Sequence, residues 1–275
     1  MTPGSTKVED LYGDIWADDS AINAELDRSL KPRGYESLYE DFAALDVGRD
    51  SRVVDVGSRD AHHAIELARR FGCAVIAADP IPAHHERALA AVEASGLGAL
   101  VRPVQAWAES LPLEDGSATH VWCRDTLNHV DLARGLAECF RVLGPGGRML
   151  VYQTFAGDLM EDGEFRRLCA AMAIVPDNMR PPHFERTAGA VGFRIDAASV
   201  IGGEFREAEV EAGGEDGDLA ADLLAVSRLN RRYSELEGRF GRRRVEAARA
   251  DCLWGVYQML GKLSCRVYAL GRPAE

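Results

Sequence analysis

The feature that most constrains the fold is a short β-branched run that ends in a glycine turn and leads directly into a helical pattern. Arg52-Val53-Val54-Asp55-Val56-Gly57 is followed by S-R-D-A-H-H-A-I-E-L-A, and a second apolar run, Cys73 to Ala78, ends in Asp79. A strand, a glycine turn, a helix and a second strand with a terminal acid are typical of a nucleotide-binding βαβ unit. Gly57 permits a tight turn close to a ligand, and the Asp79 carboxylate can accept hydrogen bonds from the hydroxyls of a ribose.

The loop after Gly57 departs from the usual glycine pattern. A D-x-G-x-G-x-G loop has glycine at the positions that Arg59 and Ala61 occupy here. Arg59 has three interpretations. Its side chain turns outward from a rebuilt loop, or it forms a charge-assisted fork with a carboxylate of the ligand, or it fills the ligand space.

Strand and helix patterns alternate through most of the chain. Helical patterns separate the early strands at 60–71, 82–95 and 131–142, and Gly144-Pro145-Gly146-Gly147 is expected to break the chain before the fifth strand. This order predicts an α/β fold with a doubly wound, Rossmann-like, mostly parallel seven-stranded sheet and a ligand site at the carboxyl ends of its strands. The predicted strands are 52–56, 74–79, 100–104, 118–123, 148–155, 193–201 and 264–270.

Three segments follow from this pattern: an N-terminal helical lid over 1–48, a Rossmann-like core that binds the cofactor over 49–157, and the remaining strands with helical substrate-cap insertions over 158–275. The first insertion, 158–191, contains methionines that fit either a core or an adaptable pocket. The second begins with a Gly/Glu-rich stretch, 202–218, which predicts a mobile linker before long helices.

Composition limits the function classes. A net charge of −12 argues against a nucleic-acid partner, because phosphate binding requires a basic face. No stretch reaches about 18 apolar residues and no apolar run follows a basic start, so we expect a cytoplasmic chain that does not bind a membrane. Six cysteines without a C-x-x-C pair predict buried thiols in a reducing compartment. The sequence leaves a homo-oligomer open.

Two adjacent histidine pairs, His62-His63 and His84-His85, raise the question of a metal site. Neighbours on a helix point about 100° apart, so one pair cannot chelate as residues four apart can. We therefore expect no metal. In the first pair, one histidine is expected to face the sheet and the other the solvent.

Four ordered blocks make the pattern more specific. After the Asp55 to Asp79 unit come A-E-S-L-P-L-E-D-G-S from Ala108, D-T-L-N-H-V from Asp125, and R-V-L-G-P-G-G from Arg141. This series resembles the class I S-adenosylmethionine-dependent methyltransferases over about residues 50–155. Tyr12 to Trp16 and the late helical insertions look like the sugar and small-molecule O-methyltransferases of natural-product pathways, in which an N-terminal helix closes over the cofactor.

The resemblance implies a set of residues that bind S-adenosylmethionine. Asp55, Gly57 and Arg59 would lie beside the methionine moiety, and Asp79 would bind the ribose. The other residues implied at this cofactor are Tyr12 in the lid, Ile81, Trp107, Ala108 and Glu109 around the adenine, and Arg124 after the fourth strand. Trp107 replaces the usual acid before Ala-Glu, so stacking would replace a hydrogen bond to the adenine.

The resemblance also implies a catalytic base. His129 matches a histidine that removes the proton from an acceptor hydroxyl in several such O-methyltransferases, although a histidine at a helix start can also be purely structural. Asp125 would orient His129 or cap the turn, and His183 is a second candidate base. The expected function is methyl transfer to a small molecule, at a hydroxyl. The alternatives are a repurposed enzyme that catalyses cyclisation, elimination or decarboxylation, and a non-catalytic binding subunit.

Overall fold

The computed structural model describes residues 7–15, 19–213 and 219–274, in two compact units that divide after Pro32. The first unit contains helices α1 (Val8–Asp10) and α2 (Ser20–Leu26), with a π-helical turn, Leu11–Ile15, between them. Tyr12 lies in that turn with an exposed side chain. Trp16, part of the predicted lid motif, lies outside the described residues.

The second unit contains one seven-stranded sheet, whose strand order is β3-β2-β1-β4-β5-β7-β6. Every neighbouring pair is parallel except those of β7, which runs antiparallel to both β5 and β6. The sequence prediction of a doubly wound, mostly parallel seven-stranded sheet is confirmed. The strands are β1 (Arg52–Val56), β2 (Ala74–Asp79), β3 (Val101–Gln105), β4 (Ala118–Arg124), β5 (Leu143–Ala156), β6 (Arg194–Gly202) and β7 (Leu263–Gly271).

Helices cover the two faces of this sheet, and a further group follows β6. Prolines occupy the first turns of two of them, where a missing N–H costs nothing. The helices of this unit are α3 (Ser37–Ala43), α4 (His62–Phe71), α5 (Pro82–Ser95), α6 (Leu132–Val142), α7 (Asp162–Met172), α8 (Pro181–Val191), α9 (Glu204–Glu211), α10 (Leu219–Arg231), α11 (Tyr233–Phe240) and α12 (Arg242–Met259).

Two apolar cores flank the central strands. On one face, Trp122 of β4 packs against Tyr39 and Phe42 of α3 and against α4. On the other face, Leu136 of α6 and Phe184 of α8 pack against the sheet. Strands buried on both faces explain why the segments around β1, β4 and β5 read as continuous apolar runs rather than as alternating ones.

Two details of the predicted order are wrong. The segment Gly144-Pro145-Gly146-Gly147, predicted to break the chain before β5, lies within β5, which begins at Leu143. The strand has a bulge there, and its regular pairing with β4 starts at Arg148. The stretch 202–218 is not a linker throughout: 204–211 form α9, whose Phe205 is buried. Residues 214–218 lie outside the described part of the chain. The predicted domain limits at 48 and 157 stay predictions, and α3, which they assign to the lid, packs into the core.

None of the helices in the described ranges is both long enough and apolar enough to cross a membrane.

Candidate functional site

A cleft of about 830 Å³ opens at the carboxyl ends of β1, β2, β4 and β5. This is the edge where parallel α/β sheets bind ligands, next to the point between β1 and β4 where the strand order reverses. One side of the cleft, which we call the glycine-loop half, is formed by Asp55, 57–60, His62, 79–81, His84 and 106–108. The other side, the aromatic half, is formed by Tyr35, His63, 124–126, 129–130, Tyr152, Met172, Arg206, Asp251, Trp254 and Gln258.

Asp79 ends β2 in the glycine-loop half and is already held by three donors. Its Oδ1 accepts hydrogen bonds from the Ile81 N–H at 3.0 Å and from His84 Nδ1 at 2.9 Å, and its Oδ2 accepts one from the Arg59 N–H at 3.0 Å. A carboxylate offers about four acceptor positions. The structure therefore leaves one position, on Oδ2, for a ligand hydroxyl, where the sequence suggested room for two.

Position 57 requires a glycine because Thr126 packs closely against its backbone. Its φ is +80°, and a Cβ at this position would lie 1.9 Å from Thr126 Oγ1. The N–H groups of Gly57 and Ser58 both donate to the Ala78 carbonyl oxygen. The turn is therefore fixed between β2 and the segment after β4, and a larger residue would displace Thr126.

The floor below this turn contains polar atoms without partners. Asp55 Oδ2 and Ser58 Oγ are buried and have no hydrogen-bond partner among the described residues. Burial, with a contribution from the negative charge of Asp79, raises the pKa of Asp55 to about 7. Buried, unpaired acceptors at the edge of a cleft are suited to a ligand that brings N–H or O–H donors.

Arg59 does not fill the cleft. Its backbone has a positive φ of 49°, its N–H donates to Asp79, and its side chain is exposed at the rim. The cleft keeps its volume with the arginine in place. The geometry favours the outward orientation and leaves the guanidinium free to approach an anionic ligand group.

The residues predicted around an adenine separate into two groups. Ile81, Trp107 and Ala108 line the cleft, and the Trp107 ring is 62% exposed, so it is available for stacking. Glu109 is not among the lining residues. Its Oε1 instead accepts a hydrogen bond from the Asp131 N–H at the start of α6.

His129 and Asp125 both line the cleft but do not bond to each other. Asp125 Oδ1 accepts from the Thr154 N–H at 2.7 Å and its Oδ2 accepts from Thr154 Oγ1 at 3.0 Å, so the carboxylate joins the turn after β4 to β5. Burial raises the pKa of Asp125. His129 Nδ1 donates to the Ala173 carbonyl oxygen at 3.3 Å, so its Nε2 is left as the acceptor nitrogen.

Arg124 extends from the end of β4 into the aromatic half. Its guanidinium carbon lies 4.7 Å from the centre of the Tyr35 ring and 5.4 Å from that of Tyr152. Arg124 Nη1 donates to His63 Nε2 at 2.9 Å, and His63 Nδ1 bonds to the Tyr39 hydroxyl at 2.8 Å. Burial, with the charge of Arg124, lowers the pKa of His63 to about 3, so this histidine is neutral. As predicted for the pair, His63 faces the core and His62 is exposed.

A buried polar network supports the aromatic half from below. Arg206 Nε donates to Gln258 Oε1 at 2.8 Å, and Gln258 Nε2 donates to Cys265 Sγ at 3.2 Å. The Tyr152 hydroxyl also donates to Cys265 Sγ. These bonds join α9 and α12 to β5 and β7, and so fix the side chains that close the cleft.

Sequence reasoning missed most of the aromatic half. Tyr35, Tyr152, Arg206, Trp254 and Gln258 lie far apart in the chain and belong to no short motif. The available signal was weak: Tyr152 follows the apolar run Met149 to Val151, and Phe205-Arg206 interrupts a Glu-rich stretch. Within the described ranges, no group of three or more His, Cys, Asp or Glu residues is placed to hold a metal ion.

Comparison with known proteins agrees with this geometry. Residues 54–151 match the family model described as a methyltransferase domain. A sarcosine/dimethylglycine N-methyltransferase of Halorhodospira halochloris is 29% identical over 187 residues, which are 67% of this chain and 64% of that protein. The chain thus aligns with less than two thirds of this relative's length.

Solved structures share the fold. A geranyl diphosphate C-methyltransferase from Streptomyces coelicolor A3(2) superimposes with a TM-score of 0.64 at 16% identity, covering 86% of this chain and 77% of the other. The [4+2]-cyclase SpnF superimposes with a TM-score of 0.61 at 19% identity, covering 84% and 77%. Residues 54–151 are thus a methyltransferase domain. The fold around this domain is the one shared by class I S-adenosylmethionine-dependent methyltransferases.

Proposed function

We propose that this chain transfers a methyl group from S-adenosylmethionine to a hydroxyl of a small-molecule acceptor. The observation that supports this best is the position of His129, which lines the cleft with Nδ1 directed at the Ala173 carbonyl oxygen, an arrangement that makes Nε2 the acceptor of the neutral ring. Nε2 can therefore accept the proton of a hydroxyl, which an acceptor of high pKa must lose as it attacks. The glycine-loop half of the same cleft leaves a separate place in which the cofactor would fit.

The glycine-loop half fits S-adenosylmethionine in three respects. The free acceptor position on Asp79 Oδ2 suits a ribose hydroxyl, and the exposed Trp107 ring suits the adenine. The unpartnered Asp55 Oδ2 and Ser58 Oγ suit the ammonium group of the methionine moiety. When bound, S-adenosylmethionine supplies a methyl group already activated on a sulfonium.

The chain's own contribution to the reaction is alignment, proton removal and exclusion of water. The aromatic half holds the acceptor against the glycine-loop half, so that bond formation becomes effectively unimolecular. His129 Nε2 takes the acceptor proton. Trp254 and Met172, from α12 and α7, line the aromatic half with apolar surface and reduce its hydration.

Transfer to an amine is the second candidate. It is favoured by the relative described as a sarcosine/dimethylglycine N-methyltransferase. An amine that is already deprotonated needs no base, so the two candidates differ in how much they depend on His129.

A non-methylating activity is the third candidate, because a structure with this fold is described as a cyclase. In that case the cofactor would bind and remain unconsumed during turnover. A non-catalytic binding subunit would require neither the free Asp79 acceptor position nor the polar floor, so we place it last.

The experiment is calorimetric titration with S-adenosylmethionine, followed by measurement of S-adenosylhomocysteine formation with hydroxyl and amine acceptors. Cofactor binding with hydroxyl-dependent formation, reduced about 10²–10⁴-fold in kcat by His129→Ala, supports the proposal. His183, the second candidate base, lies outside the cleft, so His183→Ala should leave kcat unchanged under this proposal. Amine-dependent formation that is insensitive to His129→Ala would instead favour N-methylation, and turnover without cofactor consumption would favour the third candidate.

A further inference from the structure

Arg124 is a cation in the cleft without an anionic partner. Among the described residues, no carboxylate lies within 4.0 Å of its guanidinium group, although most other arginines that face into the structure are paired. Arg124 Nε is buried and has no acceptor, and no described hydrogen bond involves Nη2. An unpaired, partly desolvated charge is costly in a folded protein. Its presence at a ligand cleft therefore points to a ligand that carries the opposite charge.

Three neighbouring side chains hold the guanidinium. Tyr35 and Tyr152 pack against it, and His63 accepts from Nη1. Of the other two nitrogens, Nε is buried, so Nη2 is the one that can donate a charge-assisted hydrogen bond to a carboxylate in the cleft. His63 is neutral and therefore does not compensate the charge of Arg124.

Arg124 has no direct ion pair with the nearby acids. Its charge lowers the pKa of Asp55 and Asp125, against the opposite effect of their burial, but neither carboxylate lies within 4.0 Å of the guanidinium. Asp125 already accepts two hydrogen bonds from Thr154. The other arginine of the aromatic half, Arg206, differs because it has an ion pair with Glu209 at 2.9 Å and a hydrogen bond to Gln258. The positive charge in this half therefore comes from Arg124.

We infer that Arg124 binds a carboxylate of the acceptor, so that the acceptor is a small carboxylic acid rather than a neutral molecule. The inference rests on the proposed function, since it assumes that the aromatic half holds the acceptor. Tyr35, Tyr152 and Trp254 give the same half apolar aromatic walls. The site thus suits an acid whose carboxylate reaches Arg124 while its nucleophilic atom faces the glycine-loop half.

The test uses the full chain saturated with S-adenosylhomocysteine and titrated with two acids. These are 4-hydroxybenzoate and sarcosine, each beside an analogue that keeps the nucleophile and lacks the carboxylate, 4-hydroxybenzamide and 2-(methylamino)ethanol. We expect at least one acid to bind about 10–100-fold more tightly than its analogue, and Arg124→Gln to remove this preference. Arg124→Lys, which keeps the charge, should restore part of it. Arg102→Gln, on an exposed residue of β3, should change nothing.

Several results would overturn the inference. Equal binding of acids and analogues by the wild-type chain would by itself refute the inference, whatever the variants show. A tenfold loss of S-adenosylhomocysteine affinity in Arg124→Gln, with the preference for acids retained, would mean that Arg124 binds the carboxylate of the cofactor and not that of the acceptor. If the wild-type chain bound neither S-adenosylmethionine nor S-adenosylhomocysteine, the proposed function itself would fail. Cofactor binding without a preference for acids would refute only the inference about the acceptor.

Discussion

At the scale of single residues, the glycine-loop half depends on side chains that bond to the protein as much as on those free for a ligand. Asp79 holds the N–H groups of Arg59 and Ile81 as well as His84, so it shapes the turn on which a cofactor would lie. Gly57 is fixed by its contact with Thr126. The loop can therefore differ from the glycine-rich pattern at 59 and 61 and still form the same turn.

Asp55 gives a pH-dependent prediction at this scale. Its folded-state pKa of about 7 lies above the ordinary value of 3.8, so the folded chain retains this proton to a higher pH than the unfolded chain does. The contribution of Asp55 to stability is therefore most favourable below about pH 4 and is lost as the pH rises to about 7. Asp55→Asn cannot ionise, and its melting temperature should rise relative to wild type by roughly 5 °C between pH 4.5 and pH 8.

Scanning calorimetry of both proteins across this pH range measures the effect. Asp50→Asn, on an exposed carboxylate before β1, is the control and should follow the wild-type curve. A constant difference between wild type and Asp55→Asn at all pH values would show that Asp55 is ionised in the folded state as it is in the unfolded one.

At the scale of elements, Arg141 explains why the ordered sequence blocks predicted the fold. From the last turn of α6 it donates to the carbonyl oxygens of Leu111 and Leu113, and it pairs with Asp115 and Glu138. One side chain thus joins the A-E-S-L-P block to the R-V-L block. The loop that contains the A-E-S-L-P block also places Trp107 and Ala108 in the cleft. The two blocks are therefore in contact in the structure as well as ordered in the sequence.

Replacing Arg141 with lysine keeps the charge but loses the planar fork that reaches several acceptors at once. We expect Arg141→Lys to lower the free energy of unfolding by about 1.5–3 kcal/mol in urea titrations. Arg134→Lys, on the exposed face of the same helix, should lower it by less than about 0.5 kcal/mol. Equal effects of the two substitutions would mean that the loop is held by its own turns rather than by α6.

The elements after β5 show where sequence reasoning stops. The βαβ unit and the motif blocks have local spacing rules, and these fixed the sheet and the glycine-loop half. Helix α9 was missed because four of its eight residues are glutamates and glycines flank it, while its inward-facing residues, Phe205 and Arg206, are only a dipeptide. Arg206 meets Gln258 across 52 residues. No local sequence pattern predicts such a long-range contact, since it depends on how α9 and α12 pack on the sheet.

At the scale of the whole molecule, the cleft joins two parts with different origins. The glycine-loop half is built by β1, β2 and the loops after them, within the matched methyltransferase domain. The aromatic half also takes side chains from α7, α9 and α12, which follow that domain in the chain. In such an arrangement, cofactor affinity should be set by the first half, and acceptor choice can change through the late helices without loss of the cofactor.

This division gives a prediction for cofactor affinity alone. Asp79→Asn removes the charge that holds the turn and that, under the proposed function, would face the ribose. The substitution should weaken S-adenosylhomocysteine binding at least about tenfold. Trp254→Ala changes a lining residue of α12 and should leave the dissociation constant within about twofold of wild type. Calorimetric titration of both variants, with circular dichroism to verify folding, provides the comparison. A similar loss in both would mean that the late helices order the cofactor side as well, and that the two halves bind their ligands as one cooperative unit.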